Sequence, residues 1–189
     1  DIRQRYQKLS TIDELTGLHN RRYFFAEGES MLARAIRYDL PISLLLIDVD
    51  YFKRINDSWG HSVGDQVLKM IADVLREEVR TGDMVARLGG EEFVLLLSNT
   101  GAAGADLLAK RVQERISLLN FEGAAREDLT LTISIGMTDL DVATGMNLSD
   151  AIYLLYKRAD SAMYACKRQG RNRRLFYTPD MESSRREDS

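Results

Sequence analysis

One cysteine, two prolines, two histidines and a single tryptophan are all that 189 residues contain of these types. The lone Cys166 excludes an intrachain disulfide and suits a reducing compartment, so a cytoplasmic setting is expected. No apolar run approaches the ~18 residues that cross a bilayer, and no signal peptide is visible, which excludes direct membrane insertion by this segment. A positive surplus is missing too. The formal net charge is −3 and the pI about 5.5, against a protein that grips nucleic acid by neutralising phosphates. There is no internal repeat, Walker A sequence or dinucleotide-binding glycine fingerprint. The chain opens at Asp1 rather than Met, so it reads as a piece of a longer protein, for which membrane attachment stays open.

What is present suits one domain with a single core. Residues 1–11 are polar, with Ile2, Tyr6 and Leu9 at helical spacing. They read as the last turns of a helix from an upstream module, the alternative being a frayed end. The segment Asp13 to Arg22 reads as a turn leading to a helix with Asn20 as N-cap. That helix, over 21–38, turns Phe24, Phe25, Met31, Leu32 and Ile36 inward. Ile42 to Ile47 is an apolar run after Pro41, a strand buried on both faces. A helix over 65–79 buries Val67, Met70, Ile71, Val74 and Leu75. Another over 102–119 buries Ala105, Leu108, Val112, Ile116 and Leu119.

Leu129 to Met137 alternates apolar and hydroxyl residues, a strand with one face on the core. Ser149 is expected to cap a last helix through Arg168, with Ile152, Leu155, Ala159, Ala162 and Cys166 on its inner stripe. On that stripe Cys166 reads as a buried small hydrophobe. Residues 123–128 and 139–147 read as loops, 174–177 as an edge strand, and 179–189 as a disordered tail. The elements predict an α+β sandwich, helices packed around a central, mostly antiparallel sheet.

The chemistry gathers in three places. Met84 to Leu88 and Phe93 to Leu97 are apolar runs flanking Gly89-Gly90-Glu91-Glu92, a β-hairpin whose glycines supply positive φ. Adjacent carboxylates repel, and a hairpin tip needs neither. They are either a solvated turn or a divalent-cation site whose glycines let a phosphate approach the backbone. Asp48 stands where the buried strand emerges, at a cost unless solvated or paired. It is a strand-end cap or a metal ligand, and its position favours the ligand. Asp50 should face the other way, in a supporting role. Next come Lys53, a point charge for phosphate, and Asn56, His61 and Asp65, which offer amide, imidazole and carboxylate. An amide and a carboxylate match the donor and acceptor edge of guanine, although Asp65 also suits a helix N-terminus. Lys167 to Arg174 is a basic cluster that otherwise serves as dipole compensation for a helix C-terminus.

Gly89-Gly90-Glu91-Glu92-Phe93 resembles the signature of the GGDEF family, the bacterial diguanylate cyclases, in its Glu-for-Asp variant. Arg80-Thr81-Gly82-Asp83 lies at the spacing of that family's product-inhibition motif. Ala162-x-Tyr164-x-x-Lys167-x-x-Gly170-Arg171-Asn172 is similar to a third family pattern, with Cys166 replacing its usual Ala. The resemblance runs from about Leu9 to Tyr177 and implies a nucleotide-cyclase-like, palm-type domain over 12–178. It implies Mg²⁺ or Mn²⁺ held by Asp48, the Val49 carbonyl, Glu91 and Glu92, with Glu92 alternatively accepting a proton. It implies two GTP condensed to cyclic di-GMP between two facing chains, the triphosphate held by Lys167 and Arg171 beside Gly89 and Gly90. It further implies product binding at Arg80, Asp83 and Arg111, and a sensory domain upstream. The alternatives are an ordinary surface pair at Arg80 and Asp83, and a catalytically silent receptor for GTP or cyclic di-GMP.

Overall fold

The computed structural model describes residues 10–120, 129–140 and 145–182. In chain order its elements are β1 (His19–Asn20), α1 (Arg21–Tyr38), β2 (Ile42–Val49), α2 (Phe52–Trp59), α3 (His61–Glu78) and β3 (Met84–Gly89). Then come β4 (Glu92–Ser98), α4 (Ala102–Ser117), β5 (Ile133–Asp139), α5 (Leu148–Arg168) and β6 (Arg174–Phe176). The six strands form one sheet in the order β1-β3-β4-β2-β5-β6. Its three inner pairings are antiparallel, while the edge pairs β1–β3 and β5–β6 are parallel.

Strand β2 is central and buried at all eight positions. Side chains alternate across a strand, and here each face has its own helical layer. Ile42, Leu44 and Leu46 pack with Phe24 and Leu32 of α1 and Ile152 and Leu155 of α5. Leu45, Ile47 and Val49 pack with Val67 and Ile71 of α3 and Val112 and Ile116 of α4. Full burial contributes roughly 1.5–3 kcal/mol per large aliphatic side chain. The apolar run of β2 thus offsets the cost of carrying Asp48 and Asp50, only 6% and 5% exposed, to its end.

Local signals act largely as expected. The Asn20 side chain accepts from the Tyr23 amide at the start of α1, and Asp39 closes that helix in the left-handed conformation. Cys166 is buried, its thiol donating to the Ile135 carbonyl (3.3 Å), and burial lifts it to about 11. Five expectations need correction. Ile36 is 49% exposed, because the inner stripe of α1 runs through Phe24, Gly28, Met31, Leu32 and Ala35. Helix α3 starts at His61, after the positive-φ Gly60, so the polar stretch before Asp65 is helical rather than loop. Leu68 takes an inner position there and leaves Met70 half-buried. Strand β5 starts at Ile133 and is covered on both faces, Ser134 and Thr138 being buried because α4 and α5 lie on opposite sides. Helix α5 is capped by Asn147, which accepts from the Asp150 amide, while Ser149 lies inside its first turn.

The two-residue strand β1 is too short for periodicity to reveal. Of the expected tail, residues 180–182 turn helically, with the Tyr177 hydroxyl donating to Glu182 (2.7 Å). The upstream-helix expectation at Ile2–Leu9, the 123–128 loop, part of the 139–147 loop and residues 183–189 lie outside the described residues.

Gly136 lets β5 and α5 meet backbone to backbone. A Cβ there would lie 2.0 Å from the Ala159 carbonyl oxygen and 2.3 Å from the Met163 nitrogen. Neither atom can move without shifting the helix. Gly136→Ala is expected to destabilise the domain by about 3 kcal/mol, read as a lower urea midpoint at unchanged slope. A midpoint within error of the parent would show that α5 is free to shift.

Candidate active site

Antiparallel pairing sets Asp48 of β2 directly opposite Glu92 of β4. Residues so paired point to the same face, and two carboxylates there repel. The tip of the β3–β4 hairpin lies beside them. Gly89 and Gly90 have φ of 139° and 50°, and nothing lies within 4 Å of a Cβ built at either. Their requirement is therefore conformational, and the surface over the turn is open. The Val49 amide donates to the Glu91 carbonyl (3.3 Å), fastening the tip to the end of β2.

A second brace comes from residues the sequence reading left without a role. The Arg87 guanidinium donates to the Gly90 carbonyl (2.7 and 3.0 Å) and to both carboxylate oxygens of Asp13 (3.1 Å). Burial opposes charge on Asp13, but hydrogen bonds from Thr16 and Arg87 outweigh it and hold the carboxyl below its ordinary value. The signal in the sequence was a charge inside an apolar run, Met84-Val85-Ala86-Arg87-Leu88.

Burial pushes the Asp48 carboxyl up to about 6, with Glu91 and Asp50 adding to it and the Lys167 ammonium, 3.0 Å away, opposing it. Glu92 is raised as well, by burial first and then by Asp48 and Asp160, and its Oε1 is buried without a hydrogen-bond partner. Glu91 is half-buried at the turn. Crowded hard oxygens, one of them orphaned, fit a divalent cation such as Mg²⁺, which keeps water and substrate phosphate in its remaining positions. Among the described residues no three acidic, imidazole or thiol side chains form a closed ligand set. Lys167 supplies the positive charge instead.

Asp50, expected to face the other way, lies two residues beyond Asp48 and so returns to the same side of the sheet. There Asp50 sits beside Ser134, which pairs with Asp48, and has its own partners. It accepts from the hydroxyls of Thr132 (2.7 Å) and Ser134 (2.6 Å) and from the Asn172 amide (2.9 Å), tying the turn after α5 to the end of β2. Lys167 and Arg171 are thereby brought to this end of the sheet, near Lys53 in the first turn of α2. Asn56 lies on α2 against Gly64 of α3, where a Cβ would come within 1.9 Å of its Oδ1. That oxygen is buried and lacks a donor. Asp65, the next residue along α3, is exposed, as is His61 at the start of that helix.

Arg80, Asp83 and Arg111 meet elsewhere, around a cavity of about 380 Å³. The Asp83 side chain is 2% exposed and accepts from the backbone amides of Arg80 and Ser98 (both 3.0 Å). Arg80 Nη2 donates to the Ser98 carbonyl and the Thr100 hydroxyl, while Arg111 Nε donates to Glu78 (3.0 Å).

Residues 10–173 match the family described as diguanylate cyclase, GGDEF domain. The response regulator PleD of Caulobacter vibrioides is 43% identical over 166 residues, covering 87% of this chain and 36% of PleD. The chain thus spans about a third of the length of the curated relatives it matches. Among solved structures, the GGDEF domain of DgcB from Caulobacter crescentus, in complex with c-di-GMP, superposes with a TM-score of 0.80 at 31% identity, covering 88% of this chain and 95% of that one. The active GGEEF domain of a diguanylate cyclase from Vibrio cholerae gives 0.76 at 34% identity, covering 85% and 98%. The chain belongs to the GGDEF family of diguanylate cyclases. Among the described residues no helix is long and apolar enough to cross a membrane.

The raised Asp48 carboxyl has a consequence for stability. Between the ordinary carboxyl value of 3.8 and about 6 the folded state holds a proton that the unfolded chain has lost, so this residue's contribution falls as pH rises through that window. Asp48→Asn removes the effect. In metal-free solution the variant should gain on the parent by about 1–2 kcal/mol between pH 4 and pH 7, after a discount for solvent access. Urea unfolding at both pH values checks this. A gap that stays constant with pH would mean that Lys167 fully offsets the burial.

Proposed function

We propose that this chain is an active diguanylate cyclase of the GGEEF type, which condenses two GTP into cyclic di-GMP and two pyrophosphates. The observation carrying this reading is the buried Asp48–Glu92 pair, in register beside an open glycine turn, with Lys167 3.0 Å from Asp48. In each half-reaction the ribose 3′-oxygen of one GTP bonds to the α-phosphorus of the other. The bond from that phosphorus to the bridging oxygen breaks, and pyrophosphate leaves. One hairpin serves one GTP, so two chains face each other about a two-fold axis. The catalytic unit is residues 12–178, and a sensory domain upstream sets how often two units meet.

Lys53, Lys167 and Arg171 hold the triphosphate, and the turn at Gly89 and Gly90 lets it approach the backbone. The Asn56 side-chain amide, once turned from Gly64, and the Asp65 carboxylate meet the donor edge of guanine, with His61 at the rim. Asp48, the Val49 carbonyl, Glu91 and Glu92 hold Mg²⁺ or Mn²⁺. The bound ion supplies charge neutralisation at the phosphate and a lower pKa for the attacking hydroxyl. Alternatively, Glu92 leaves the ion to Asp48 and Glu91 and takes the proton from that hydroxyl. Cyclic di-GMP binds in turn between Arg80, Asp83 and Arg111, where an arginine fork meets phosphate or the guanine acceptor edge. Product held there keeps two units from facing, a coupling of two distinct sites.

A silent receptor is the second reading, favoured only by the separate cavity at Arg80, which needs no turnover to bind a nucleotide. Incubating the purified protein with GTP and Mg²⁺ and separating the products decides between the two. Cyclic di-GMP is expected. Asp48→Ala or Glu91→Ala should lower its formation by on the order of 10²-fold or more at unchanged far-UV CD, and a Glu91→Ala variant as fast as the parent would remove Glu91 from the site. Arg80→Ala should weaken cyclic di-GMP binding by about 10- to 100-fold in calorimetry while the initial rate stays at the parental value. Undiminished binding would return Arg80 to a purely structural role.

A further inference from the structure

Two guanidinium groups share one exposed aromatic ring at the end of β2. The guanidinium carbons of Arg54 and Arg171 each lie 4.6 Å from the ring centroid of Tyr51. Arg54 comes from the first turn of α2 and Arg171 from the turn after α5, more than a hundred residues apart in the chain. Tyr51 is 47% exposed and sits with φ 55° at the junction of β2 and α2. Among the described residues neither guanidinium has a carboxylate partner. Like charges repel, and each long side chain has rotamer freedom to leave. The π-system of the ring attracts each of them, which explains why both stay on Tyr51.

The backbones that carry these groups are fixed. Tyr51 O accepts from the Ile55 amide (3.2 Å) inside α2, and the Arg171 amide donates to the Cys166 carbonyl (2.9 Å). Asp50, the neighbour of Tyr51, holds the Asn172 amide, the neighbour of Arg171. Asp50 thus docks the turn through its backbone while Tyr51 docks the side chain. Gathered on one ring and without an acidic partner, the two arginines offer their outer donors to an anion, at the end of the sheet where Lys53 and Lys167 lie.

We propose that Tyr51 is a positioning residue for the triphosphate tail, and that Arg54 is a phosphate contact beside Lys53, Lys167 and Arg171. The inference rests on the cyclase reading and adds to it a determinant of substrate affinity. It acts in binding rather than in the chemical step, so its loss raises KM and leaves kcat in place.

Three variants test this: Tyr51→Leu keeps bulk without a π-face, Tyr51→Phe keeps the face without the hydroxyl, and Arg54→Gln removes one charge at the surface. All leave an ordinary L-residue on the backbone, so the cost of the positive φ is common to both Tyr51 variants. Calorimetry with a non-hydrolysable GTP analogue, and with inorganic triphosphate in the absence of metal, reads the phosphate subsite directly. Tyr51→Leu and Arg54→Gln should weaken both ligands by roughly tenfold and raise KM for GTP in proportion, while Tyr51→Phe matches the parent. If the parent binds neither ligand, the cyclase reading falls and this inference with it. If the parent binds and Tyr51→Leu binds equally well, this inference alone falls. A lowered kcat at unchanged KM in Tyr51→Leu would also overturn it. Should Tyr51→Leu fold poorly, the Tyr51→Phe and Arg54→Gln pair still decides, because equal losses in those two contradict a role for the ring face.

Discussion

The structure depends on the pairing of β2 with β4, which forces two carboxylates into one poorly solvated place. Asp48 and Glu92 are neighbours because seven successive residue pairs, from Ile42 with Ser98 to Asp48 with Glu92, hold a single register. A slip of one residue would turn every side chain of β2 to its opposite face and exchange the two helical layers. The apolar core therefore protects the acidic site by making that slip prohibitively costly. The same core keeps water scarce around Asp48, so its charge depends on whichever cation is at hand.

Strand β3 connects two polar regions that the sequence separates by only a few residues. At one end Asp83 fixes the turn at Arg80 and binds the Ser98 amide. At the other, Arg87 holds the Gly90 carbonyl at the hairpin tip. Six residues of strand span about 20 Å, so no one small ligand touches both ends. Any influence of one region on the other passes through a rigid strand or through the movement of whole domains.

Much of this was legible in the sequence because the local chemistry and the tertiary demand agreed. The unbroken run Ile42 to Ile47 could only be a doubly covered strand, and the glycine pair could only be a tight reversal. Asn20 capped its helix because an extended residue with a short amide has few better uses. The errors arose where tertiary contacts outweigh local pattern. The hydroxyl alternation of β5 suggested a solvated face, yet Ser134 is buried there to serve Asp50. Gly60 to Asp65 looked like a loop because its glycines break helices, whereas Gly64 is helical and leaves room for Asn56. The Asp13–Arg87 brace joins positions 74 residues apart, a distance at which spacing carries no information.

The edges of the sheet bear on assembly. Strand β1 has two residues and β6 has three, and both pair in parallel with their inner neighbours. A second chain finds almost no free ladder of backbone amides and carbonyls to extend. In the two-chain arrangement proposed above, copies of this domain would therefore meet through side chains on helices and turns, contacts that could form and dissolve without unzipping a strand. The sheet that builds the site would then stay intact each time two domains part.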